Sequence, residues 1–344
     1  MKLQALEDRL LNPMMQVGMM VLVSFVLTFL SIRYLSQLHN FDPLPSLIGR
    51  SEEPSNLIKI RTGLFVNNFL NFDLIKNEFT VLGTVWFEFD QKEVSLEVLE
   101  QSMFSKGEAE GQASLRGKYE VVVPVVQRDG DRVYAQYPVK IDFITNLDYK
   151  LFPFDSHRLY MTLNNVYLDA DKFEFIADQD SFTISPNLLI FGWEVAGQQV
   201  YVGAASKPLT AKRSSIYPRV IYAIDFKRNS FKDLLLLLLP LLVSFFMGMF
   251  TFSYNHETYR SSILSIGIAT VSAMMAYRYV ISNNSPHVPY FMIVDWLFVL
   301  FLLLSFTVFL INVFDLFTKQ RGMVVAALYL ILIGTWCALL YWWA

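Results

Sequence analysis

Apolar residues gather at the two ends of this chain, and between them polar and apolar positions alternate. Residues 15–32 (MQVGMMVLVSFVLTFLSI) form one uncharged run, close to the ~20 residues a helix needs to cross a bilayer. A cleaved secretory leader is the rival reading. The run is longer than the 7–15 residues of a typical leader core, and Tyr34-Leu-Ser-Gln-Leu offers no small-x-small cleavage site. A retained anchor helix over 1–36 is therefore expected, followed by a linker over 37–56 that holds Pro43, Pro45 and Pro54.

From 57 to 230 the period shortens to two. Runs at 57–70, 78–89, 119–127, 133–143, 157–163 and 193–202 are rich in Val, Ile, Thr, Tyr and Phe. Asp129-Gly130-Asp131 between two of them is a hairpin signal. Many short strands at short spacing predict an antiparallel β-sandwich. The segment 95–105 (SLEVLEQSMFS) predicts a helical interruption, and 106–117 a charged, glycine-bearing loop.

After Arg228 four apolar segments follow, at about 234–252, 263–281, 291–314 and 323–343. Their short connections force antiparallel neighbours, so residues 231–344 predict an up-down bundle of four membrane helices. With the anchor there are five spans. Lys2, Arg9, Arg260, Lys319 and Arg321 then share one side, which the positive-inside rule makes cytoplasmic and which leaves the sandwich outside. Lys227, Arg228 and Lys232 stand at the wrong end of their span for that rule.

Composition agrees with a lipid setting. Of the 344 residues 54% are hydrophobic and 17% charged, against about 25% charged in a soluble domain. The net charge of -3 carries no basic stripe for nucleic acid. Cys337 is the single cysteine, which excludes an intrachain disulfide and a cysteine metal cluster. The chain has no glycine-rich phosphate loop, no nucleophile elbow and no calcium-loop or other metal-ligand spacing, so neither an enzyme nor a cofactor is expected.

Three features carry candidate chemistry. Residues 147–159 read LDYKLFPFDSHRL: two aromatic rings flank a proline turn, and Asp155 beside them either caps that turn or needs a charged partner. In the second bundle segment Ser261, Ser265, Ala269, Ser272, Ala276 and Tyr279 recur at spacings of three and four. Such a stripe is a helix-packing face or, in a ring of subunits, a wetted pore lining. Pro240 interrupts the hydrogen bonding of the first segment, which membrane helices tolerate. Asp295 is an acid in the third, serving gating or structural pairing.

In this order these residues resemble the Cys-loop receptor superfamily of pentameric ligand-gated ion channels, and its prokaryotic members most. Phe152-Pro153-Phe154-Asp155 resembles the signature loop, with Thr145 and Leu159 where animal receptors carry cysteines. Trp86 with Glu88, Trp193-Glu194, Arg228 before Pro240, and Pro286-His-Val-Pro289-Tyr290 resemble further motifs of that family over residues 57–343. The resemblance implies a homopentamer in the bacterial inner membrane, with the sandwich in the periplasm, the N-terminus in the cytoplasm, and lipid and permeating ions as partners. It implies a coupling seam of Phe152, Pro153, Phe154, Asp155, Arg228, Pro286 and Pro289, with Asp155 paired to Arg228, and a pore lined by the stripe. Ser272 and Ala276 cannot form a bulky mid-pore gate, so either a Tyr279 ring is the gate or the register is shifted by one or two residues.

Glu257 is the selectivity candidate. The 25 acidic against 20 basic residues over 36–228 favour cations. Trp86, Tyr201, Tyr217 and Tyr222 are ligand candidates for an agonist of unknown identity. Lys207, Lys212 and Arg213 equally suit an anionic one, and His157 a proton. The anchor helix lies outside the family pattern, and a non-conducting membrane receptor of the same fold is the alternative function.

Overall fold

The computed structural model describes residues 9–35, 41–48, 57–73, 76–105, 112–114, 124–188, 190, 192–210, 213–228, 230–317 and 320–343. They form two compact units. One is β-rich, comprising Asn40–Asp148 and Ser156–Arg228; the other is helical, comprising Met1–His39, Tyr149–Asp155 and Asn229–Ala344.

The β unit holds β1 (Ile58–Asp73), β2 (Glu78–Asp90), α2 (Leu96–Leu99), β3 (Met103–Ser105), β4 (Gln112–Ser114), β5 (Val125–Asp129) and β6 (Arg132–Ile144). After them come β7 (Ser156–Asn164), β8 (Phe173–Ile176), β9 (Phe182–Ile184), β10 (Trp193–Thr210) and β11 (Arg213–Arg228). One sheet runs β5-β6-β2-β1-β8 with β9 also on β1; the other runs β10-β11-β7-β3-β4. Strict alternation is clearest on β6. On β6, Val133, Ala135, Tyr137, Val139, Ile141 and Phe143 point inward and their neighbours outward. Gly130, at φ 63°, makes the two-residue turn of the β5–β6 hairpin. The sheets meet through aromatic pairs, Phe69 with Phe226 at 5.7 Å and Phe104 with Phe143 at 6.1 Å.

Three expectations change. The helix expected over 95–105 is a single turn, Leu96–Leu99, because Met103–Ser105 pairs instead with β7 and β4. Asn165 holds the turn, its side-chain amide donating to the Val98 carbonyl (2.8 Å) and Ser102 Oγ (3.0 Å). The sandwich is not wholly antiparallel, since β1 pairs parallel with β8 and β9. Within the expected linker, Ile48 bridges to Ala204, and Asp42 is tied into the β unit as described below. The strand expected at 119–127 lies partly outside the described residues; β5 occupies Val125–Asp129.

In the helical unit α1 is Pro13–Leu35, α3 is Ser230–Phe250, α4 is His256–Asn284, α5 is Ile293–Val313 and α6 is Arg321–Trp343. All five are long and apolar enough to cross a membrane. Val23 and Leu27 of α1 are buried while Val21, Phe25 and Phe29 are exposed, the pattern of a peripheral helix with a lipid face. Its polar tie to the bundle is Ser31, whose Oγ donates to Leu27 O (2.8 Å) and accepts the Trp336 indole N–H (3.1 Å).

Pro240 has no N–H to give the Leu236 carbonyl one turn earlier. The Tyr277 hydroxyl of α4 donates to that carbonyl instead. Tyr277→Phe is therefore expected to cost about 1–3 kcal/mol, since in a bilayer no water replaces the lost donor. The same change in a Pro240→Ala background, where the backbone N–H is restored, should cost clearly less. Thermal midpoints of the four purified proteins give the difference.

Candidate functional site

The α4 helix starts on Asn255, whose side chain accepts the Glu257 N–H (3.0 Å). Tyr259 leaves helical geometry at φ -116°, ψ 24°, so Glu257 sits exposed in a short first turn ahead of a kink. Beyond it, Ile263, Gly267, Thr270, Met274 and Ile281 are buried on one face. Gly267 permits this approach, since a Cβ there would stand 2.9 Å from the Phe309 ring of α5. Ser261, Ser265, Ala269, Ser272, Ala276 and Tyr279 are all exposed, within an arc of about 80° at 100° per residue. Ile268 and Met275 flank them and are exposed too. The buried share of the apolar window is 56% for α3 and 50% for α5 but 22% for α4. The small-residue stripe is thus not used for packing within its own bundle.

Toward the C-terminal end of α4 the structure builds a charged constellation. Arg278 Nη1 lies 2.5 Å from Asp295 Oδ1, and its guanidinium rests 5.4 Å from the Phe298 ring centre. Asp295 is buried, and its other oxygen accepts the Met292 N–H (2.9 Å). That fastens the first turn of α5, where the helix dipole favours an anion. Because α5 starts at Ile293, Asp295 stands in its first turn. An open cleft of about 610 Å³ adjoins the pair, lined among others by Ser282, Pro286, His287, Pro289 and Tyr290.

The signature-like loop belongs to this helical unit. Phe152, Phe154 and Asp155 are buried, and the Phe152–Pro153 peptide is cis. The Tyr149 N–H donates to Tyr290 Oη (2.9 Å), the Ile293 N–H donates to Lys150 O (2.9 Å), and Lys150 Nζ stands 5.9 Å from the Tyr290 ring centre. The loop is therefore seated on the Pro286–Tyr290 turn and the first residue of α5.

A third cluster lies at the N-terminal end of α4. The His256 ring is 3.1 Å from Asn312 O and 3.2 Å from Asp315 Oδ1, and Arg321 Nη2 donates to the same carboxylate (3.0 Å). Sequence reasoning missed Arg278, His256 and Asp315. A basic residue inside an apolar helix was the available signal for Arg278.

Within the β unit, β7 and β11 carry a buried cross-strand pair. Arg158 donates to both oxygens of Asp225, Nε at 2.5 Å and Nη2 at 2.8 Å, and lies 5.0 Å from the Phe41 ring centre. The hydrogen bond to Asp225 raises the Arg158 pKa above its ordinary value. Asp42 accepts the backbone N–H of Asp148 and of Arg158, each at 3.3 Å, and lies 3.5 Å from His157 Nδ1. The Tyr160 hydroxyl donates to the Asp42 carbonyl, and burial followed by the Asp42 charge pushes its pKa up. His157 is fully buried, not on a solvent-facing edge. The Arg228 guanidinium stacks 4.3 Å from the Trp193 ring centre.

The aromatic ligand candidates do not converge on one another. Trp86 is half-buried in β2, 5.7 Å from Tyr134, and its ring lies across Gly63. Tyr201, Tyr217 and Tyr222 belong to the other sheet. Tyr222 is fully buried, its hydroxyl 3.5 Å from Thr62 Oγ1 and its ring 5.3 Å from Phe182. Tyr217 is buried beneath Arg219, whose Nη2 donates to its hydroxyl at 3.3 Å. In this chain the rings and hydroxyls of Tyr217 and Tyr222 are thus engaged inside the β unit. Tyr201 is half-buried, and its hydroxyl donates to Gln199.

The comparisons with known proteins enter here. Over 148 residues, 43% of the chain, the sequence is 22% identical to a protein of Gloeobacter violaceus described as a proton-gated ion channel. The matched stretch spans 39% of that relative's length. No model of a known protein family matches the chain. A β-rich unit joined to long apolar helices fits this similarity, which does not by itself confirm α1.

Proposed function

We propose that the chain is one subunit of a ligand-gated ion channel, with α4 stripes from five copies lining the pore. The observation that carries this reading is the stripe's orientation. Its hydroxyls face away from their own bundle. Facing hydrocarbon they would gain nothing, whereas around a shared axis they meet water and ions. The similarity to a protein named as an ion channel supports it. Tyr279, 71% exposed near the outer end, is the gate in this proposal, and Glu257 at the inner mouth favours cations. The β unit stands in the periplasm and the N-terminus in the cytoplasm of the inner membrane.

Phe152–Asp155, Arg228, Pro286 and Pro289 couple the two units in this reading, with Asp155 and Arg228 as its charged pair. Trp86, Tyr201, Tyr217 and Tyr222 are the ligand candidates of this reading, and the relative's name makes protons the first stimulus to apply. The test uses the purified chain in planar bilayers under steps of outer pH, calcium and amines. In a Cys337→Ala background, Ser272→Cys is expected to carry current that an aqueous thiol reagent cuts by about tenfold or more. Silence of the unmodified protein under every stimulus would leave the non-conducting receptor as the better reading.

A further inference from the structure

We propose that Arg278 and Asp295 form the link through which the position of the 149–155 loop reaches the pore helix. The proposal rests on the channel reading of α4 but concerns how that helix is moved. A continuous set of contacts supports it. Lys150 O accepts the N–H of Ile293, the first residue of α5 (2.9 Å). Two residues on, Asp295 holds its own helix start through Met292 N (2.9 Å) and reaches across to Arg278 Nη1 (2.5 Å). Arg278 is the chain neighbour of Tyr279. A displacement of the loop therefore has a direct hydrogen-bonded route to the first turn of α5, and the ion pair carries it onward to the outer part of α4.

The chemistry suits a link that opens and closes. Asp295 is fixed, 5% exposed, with both oxygens engaged. Arg278 has a side chain 42% exposed that borders the cleft of about 610 Å³, so it has room to swing away without disturbing a packed core. Between the two helices this pair joins the only acid and the only arginine among the cleft-lining residues. Closed, it holds the outer part of α4 against α5; open, it lets the Tyr279 region move independently. Arg278 and Asp295 are positioning residues in this scheme and touch no ligand.

The test needs no current. The full-length chain in lipid nanodiscs, with Cys337→Ala and Tyr279→Cys, is treated with a neutral maleimide, and the modification rate is followed by mass. Asp295→Asn is expected to change that rate by about fivefold or more, while Asp295→Glu stays within about twofold. A Ser261→Cys reporter at the opposite end should not respond to Asp295→Asn. Tyr290→Phe, which removes the acceptor of the Tyr149 N–H, should alter the Tyr279→Cys rate when the pair is intact and add nothing in Asp295→Asn. That non-additivity separates a link from a merely structural contact. Arg278→Gln repeats the comparison should Asp295→Asn fail to fold. Equal rates with and without the pair, or a Tyr290→Phe effect of the same size in both backgrounds, overturn the proposal. A silent bilayer together with the expected maleimide rates would overturn the channel reading and leave this link standing.

Discussion

Asp225→Ala is expected to lower the stability of the β unit by about 3–5 kcal/mol, a fall of roughly 10 °C in its thermal midpoint. The reason is the state in which it leaves Arg158. Its side chain is 14% exposed, and its Nε and Nη2 both donate to the Asp225 carboxylate. Without that carboxylate a guanidinium remains largely buried, with its charge uncompensated. Asp225→Asn keeps an acceptor and should lose less. The double change Arg158→Met with Asp225→Leu removes both charges and should recover most of the stability, because a buried ion pair and a well-packed apolar pair are close in free energy. Hydrogen exchange of β7 and β11 amides in the full-length protein locates the effect; protection unchanged in Asp225→Ala would contradict it. Since β7 begins at Ser156, directly after Asp155 in the chain, loosening this pair also loosens the anchorage of the candidate coupling loop.

The second large effect falls on Gly63. An ideal Cβ there would stand 2.3 Å from the Ser181 carbonyl oxygen and 2.4 Å from two atoms of the Trp86 ring. The carbonyl is backbone and the indole is wedged against Tyr134, so neither yields like the tip of a flexible side chain. Gly63→Ala should destabilise the β unit by about 3 kcal/mol, at the upper end of overpacking costs, and should move Trp86 out of its present site. Tryptophan fluorescence of the variant, compared with Trp86→Phe, reads that displacement directly. If an aromatic ligand site does use Trp86, Gly63→Ala is also expected to weaken it, although Gly63 need not touch the ligand.

How much of this was legible beforehand depends on the length over which a pattern repeats. β2 and β6 alternate for 13 residues each, and their strands stand out in the sequence. β8 and β9 have four and three residues and pair parallel with β1, so neither period nor hairpin spacing announces them. The segment 95–105 has helical composition, yet sheet pairing of Met103–Ser105 claims its second half. The α4 stripe was legible because small and hydroxyl residues recur at helical spacing; which way it faces was not, because orientation depends on what α3 and α5 bury. Asp295 announced itself as an acid among apolar residues, but its partner is 17 residues away on another helix. Tyr217 and Tyr222 show the opposite limit. Residue type alone does not separate an aromatic cage from an aromatic core.

The bond from Tyr277 to Leu236 also restricts the directions in which α3 and α4 can travel. The other interior carbonyls of α3 each already accept an N–H four residues on, so a hydroxyl could only share them. Pro240 opens a single vacancy in α3, so the hydroxyl has one berth. Sliding α4 along α3 by one residue, about 1.5 Å, brings it opposite an oxygen already engaged. Tilting or rolling about the berth keeps the bond. The two helices are thus held more like the blades of a pair of scissors than like pistons: pivoting leaves the bond whole, while sliding trades an unshared acceptor for a shared one.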